Sequence, residues 1–153
     1  MLGGEMRSLL AEFKSAMTSF TSIHACLFDR EWLSTRVRPV DYHGYACALT
    51  DISATLERLC GEAARMAAEP ESLTTVRDYF GSLLPFLDAS RECVRGLEAY
   101  CVAMSGLGEG TENSVAEARR VKDRYVRLGV RMHSAEKAYR AASARWGFGW
   151  SRP

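Results

Sequence analysis

The stretch VRDYFGSLLPFLDASRECVRGLEAYCVAM, from Val76 to Met104, decides the fold. Within it Val76, Phe80, Leu83, Leu87, Ser90, Val94, Leu97, Cys101 and Met104 are spaced alternately by four and three. That alternation returns to one face of an α-helix, whereas a half-buried strand needs a period of two. Pro85 lies inside the pattern. It removes one backbone hydrogen bond and predicts a bend near Gly81.

The same spacing recurs on both sides of this stretch. Upstream, one seam runs Met6, Leu10, Phe13, Met17, Phe20, His24, Leu27, and a second runs Tyr45, Leu49, Ile52, Leu56, Leu59, Ala63, Met66. Downstream, a fourth runs Ala118, Val121, Tyr125, Leu128, Met132, Ala135, Tyr139, Ala142, Trp146. None slips register, so the chain reads as heptad-like throughout.

Breakers fall between the seams. Pro39 precedes the second helix and Asp41 can cap it. Pro70 and Ser72 separate the second from the third. Gly106, Gly108 and Gly110 end the third, after which Thr111, Asn113 or Ser114 can cap the fourth, and Gly147 and Gly149 stop that one. Only the connection 29–40 is long and apolar enough to pack by itself, through Trp32, Leu33 and Val37. The reading is one domain, 1–153, with helices at about 5–30, 41–68, 72–105 and 114–146 and a tail at 147–153.

Short loops between long helices make sequential neighbours antiparallel, which predicts an all-α, up-down-up-down four-helix bundle. Folding the seams back on one another stacks Met17, Leu56, Leu87 and Ala135 in one layer. Another holds Phe13, Leu59, Leu83 and Tyr139. In a third, Leu10 and Phe80 face the small Ala63 and Ala142, as close packing asks. An elongated helical coil that dimerises would show similar heptads and is the rival architecture.

A composition 47% hydrophobic and 25% charged argues against disorder. No apolar run approaches the roughly 20 residues that span a bilayer. Glu5, Arg7, Glu12 and Lys14 interrupt any signal peptide, so a reducing, cytoplasmic location is expected. The odd set of Cys26, Cys47, Cys60, Cys93 and Cys101 contains no CxxC pair, and reads as small, partly buried thiols.

The chemistry of known sites is missing. Di-iron bundles need inward Glu-x-x-His pairs, and the sequence has none. Haem attachment would need CxxCH. Of the three histidines only His24 lies on a seam, where a core imidazole bonded to Tyr45 or Tyr125 is the expected state. There is no GxSxG elbow. Gly106, Gly108 and Gly110 lack the Lys-Ser/Thr and the preceding strand of a phosphate loop. The expectation is a protein with no catalytic role, no cofactor and no metal.

Two surfaces stand out instead. Up to residue 114 the chain has 10 Lys and Arg against 16 Asp and Glu; beyond it, 10 against 3. Within that basic quarter Arg120, Arg124, Arg127 and Arg131 recur at helical spacing, with Arg119 and Lys122 beside them. They suit an anionic partner: an acidic protein segment, lipid headgroups or, ranked last, nucleic acid. The first helix carries no Lys, Arg, Asp or Glu from Ser15 to Phe28. There Leu9, Ala16 and Ile23 form a second apolar row that wants covering, by the bundle or by another chain. The C-terminal aromatics Trp146, Phe148 and Trp150 either fold over the bundle end or anchor a partner or membrane interface. The sequence thus points to a helical adaptor that binds another protein, or a second copy of itself, through these two surfaces. An anionic membrane surface is the alternative.

Overall fold

The computed structural model describes residues 2–28, 40–69, 74–109 and 112–145. These form four helices packed against one another: α1 (Leu2–Phe28), α2 (Tyr42–Ala67), α3 (Thr74–Ser105) and α4 (Glu112–Ala144). A 3-10 turn at Gly106–Glu109 follows α3. No strand occurs among the described residues. The connection with Trp32, Leu33 and Val37, the breakers Pro39, Pro70 and Ser72, and the tail from Trp146 onward lie outside them.

Local chemistry sets the ends. Asp41 caps α2: its Oδ1 accepts the Gly44 N–H at 2.9 Å. A Cβ at Gly44 would collide with that carboxylate, so glycine keeps the cap possible. At α4 the helix begins at Glu112, so Asn113 and Ser114 lie inside its first turn and do not precede it; Thr111 is outside the described residues. Pro85 stays within a continuous α3 and is exposed. Gly81, whose carbonyl loses its donor, is exposed too, which keeps the cost of that break low.

The seams are the core. Phe13, Leu49, Leu56, Leu59, Phe80, Leu83, Leu87, Val94 and Leu97 are all fully buried. Members of the expected layers are buried or half-buried, Leu10, Ala135 and Ala142 being the half-buried ones. Yet α3 has two buried faces, not one, because Tyr79, Phe86, Ala89, Cys93 and Tyr100 are buried beside its seam. It is the hub. Phe86 meets Phe13 of α1 edge-on at 5.0 Å, and the Tyr79 and Tyr139 hydroxyls share a buried hydrogen bond of 2.5 Å with α4. At Gly96 a Cβ would come within 2.8 Å of Leu128 Cδ1, so the missing side chain lets α3 and α4 approach closely.

The four helices are not equally engaged. Cα atoms of α1 and α4 nowhere come within 8 Å of each other among the described residues, although every sequential pair of helices does. Side chains bridge that seam: Phe28 stacks on Tyr125 at 6.0 Å, and His24 Nδ1 lies 2.6 Å from the Tyr125 hydroxyl. Two burial assignments follow. His24, expected in the core, is only partly covered: Tyr125 of α4 bonds its Nδ1 while the rest of the side chain reaches solvent. Glu136, beside the seam, is buried and held by Arg140 at 3.0 Å and His133 at 3.4 Å.

Candidate functional site

The arginines of α4 are where an unsolvated explanation would fail. Arg120, Arg124, Arg127 and Arg131 are all exposed. Arg120 pairs with Glu117 of its own helix. Among the described residues, neither an ion pair nor a hydrogen bond engages Arg124, Arg127 or Arg131. Of the α3 acids, Glu92 lies near Arg91 and Arg95, and Glu98, in the groove between α3 and α4, accepts from Thr50 of α2.

The second row of α1 behaves differently. Leu9, Ala16 and Ile23 are buried, so the bundle itself covers them and they present no surface to another molecule. Their burial accounts for much of the charge-free run, since a helix covered on two sides leaves few solvent positions, here Ser, Thr, Ala and His24.

What the sequence did not expose is the gap α1 and α4 leave between them. It is a cleft of about 330 Å³, walled by Phe20, Thr21 and His24 on one side and Tyr125, Met132 and His133 on the other, with Cys93 of α3 among its lining. Its outer edge is Val126 and Val130, 55% and 65% exposed. Two branched apolar side chains one turn apart in water are unusual for a helix that is otherwise polar outside. The signal was present as Val115, Val126 and Val130, apolar residues off the seam of α4. Periodicity alone could not say that α1 would stay clear of them.

Electrostatics at the cleft favour neutral groups. Burial, together with nearby His133, lowers the His24 pKa, and burial raises that of Tyr125. The pair therefore sits as a neutral imidazole and a neutral phenol. Burial pushes the Cys93 thiol up to about 12 and that of Cys101 to about 11, which keeps both protonated at neutral pH and poor as nucleophiles. All five cysteines are free thiols. Among the described residues no three His, Cys, Asp or Glu side chains are grouped to hold a metal ion, and no helix is long and apolar enough to cross a membrane.

The His24 shift has a sign. An unfolded chain takes up the proton near the ordinary value of 6.5, before the folded one does, so stability is complete above that pH and declines as pH falls below it. Denaturation midpoints followed downward from neutral pH should fall more steeply for the parent than for His24→Gln. Parallel curves would show that His24 carries no such linkage.

The chain is thus a helical protein with an exposed basic face and an apolar cleft on its last helix. No protein-family model, no curated protein and no solved structure matches it.

Proposed function

We propose that this protein is a non-catalytic interaction module, an antiparallel up-down-up-down four-helix bundle that presents α4 to an acidic segment of another protein. The direction of packing is supported by contacts that run in opposite order: Thr50 with Glu98 and Glu57 with Arg95 between α2 and α3, Tyr79 with Tyr139 and Gly96 with Tyr125 between α3 and α4. One observation carries the function: three exposed guanidiniums, Arg124, Arg127 and Arg131, lie along one side of α4 and form no ion pair among the described residues. Like charges one turn apart repel by a few tenths of a kcal/mol per pair. A carboxylate-bearing segment would reverse that sign and accept bidentate hydrogen bonds. The free thiols accord with a reducing compartment such as the cytoplasm.

The test is Arg124→Glu combined with Arg131→Glu. Both positions are exposed, so circular dichroism and the denaturation midpoint should be unchanged, while affinity capture from the native host loses the protein retained by the parent. Retention of the same protein by the double variant would remove the stripe from the account. Vesicles with and without anionic lipid are the second arm. Sedimentation of the parent with anionic vesicles, lost in the variant, would assign the stripe to a membrane surface. A parent that sediments as a dimer and a variant as a monomer would assign it to self-association.

A further inference from the structure

We propose that the cleft between α1 and α4 is a second docking site, separate from the arginine stripe, which accepts one amphipathic helix of another protein with acidic residues along its solvent side. The two surfaces occupy different sides of α4. Counting 100° per residue, Val126 and Val130 lie on the flank of the Tyr125 seam turned toward α1, and Arg124 and Arg131 on the opposite flank, next to α3.

The shape argues for a helix. The cleft lies between two helices that never meet at backbone distance, and Tyr125, His24 and Phe28 prop its upper end open. From Lys122, whose ammonium sits over the Phe28 ring at 5.7 Å, to His133 is eleven residues, about 16 Å or three helical turns. Gly129 lies between the two valines, and a Cβ there would meet nothing within 4 Å, so the floor is low where an incoming ridge would seat. Apolar residues at i, i+3, i+4 and i+7 of a guest would cover Val126, Val130, Phe20 and Met132.

The charge chooses the guest. The edge of α4 beside the valines carries Arg119, Lys122 and Lys137, all exposed, against the exposed Asp123 and the buried Glu136, which Arg140 and His133 hold. Arg119 and Lys122 thus lie here and not with the arginine stripe. On α1 the carboxylates are Glu5 and Glu12; Glu12 is turned to Arg58 of α2, and Glu5 falls on that same flank by helical spacing. Lys14 and Arg7 fall on the flank nearer the cleft. A rim of this sign favours an acidic guest. It also disfavours a second copy. The apolar ridge this chain could offer, Val126 with Val130, brings the same lysines and arginine with it, so two copies would meet positive against positive.

Three synthetic helical peptides test this: one apolar face, common to all, with glutamate, glutamine or lysine at the remaining positions. The glutamate peptide should bind at least roughly tenfold more tightly than the lysine peptide, and the preference should shrink as salt is raised. Amide shifts should move at Thr21, His24, Val126, Gly129 and His133. Val130→Glu, at an exposed position, should weaken binding at least roughly tenfold with the helical spectrum intact, while Arg124→Glu with Arg131→Glu leaves it within about threefold. The proposal is overturned if no peptide saturates, if the lysine peptide binds equally well, or if the shifts map to the arginine stripe. Concentration-dependent dimerisation of the parent that Val130→Glu abolishes would overturn it too, assigning the cleft to a second copy.

Discussion

Phe13→Ala should lower the unfolding free energy by about 3–5 kcal/mol, the range for an aromatic removed from a core that relaxes only in part. Phe13 is fully buried on α1 and meets the ring of Phe86 edge-on at 5.0 Å. Because α1 touches α3 sparingly and α4 only through side chains, few other groups could collapse into the space. Urea denaturation would read the loss as a shift in midpoint at constant slope. Arg127→Ala, at an exposed residue, is the control and should change stability by no more than about 0.5 kcal/mol. A Phe13 variant as stable as the arginine variant would mean that the seam of α1 is not in the core.

Ile23→Glu should unfold the protein. Ile23 is buried on the second apolar row of α1, and glutamate there would bring a carboxylate into an apolar position. The lost apolar transfer and the unsolvated charge together reach several kcal/mol, a large part of the roughly 5–15 kcal/mol that holds a domain of ordinary stability. Circular dichroism at neutral pH should show the helical signal gone. A folded variant of unchanged helicity would place that face outside the bundle after all.

Much of this architecture was legible in the order of the residues, and the reason is geometric. A seam such as Phe80, Leu83, Leu87 repeats a spacing that only a helix can bring to one side, so the four helices and most of their buried positions follow from the pattern. Asp41 could be read as a cap because its carboxylate needs nothing beyond the next turn. What could not be read depends on distances between elements. His24 belongs to its seam by spacing, yet α4 reaches it only through the Tyr125 side chain and leaves part of it in solvent. Leu9, Ala16 and Ile23 looked equally fit for a partner or for the interior, and only the packing of α2 and α3 against α1 decides for the interior. Val126 and Val130 drew no notice because a valine off the seam is ordinary until its neighbour fails to cover it. The arginine stripe is the opposite case: its spacing is plain, and whether acids of α3 pair with it depends on how α3 packs.

The hydrogen bond between His24 and Tyr125 joins residues 101 positions apart, the longest closure of any hydrogen bond described above. Helix pairs α2–α3 and α3–α4 are joined by short connections and can zip as hairpins, with little chain entropy lost per contact. Bringing α1 home against them repays its cost only through side chains on one flank and the seam on the other. During folding α1 should therefore dock last, and amide hydrogens from Leu9 to Ile23 should lose protection before those of the other helices; equal protection in all four would refute this order.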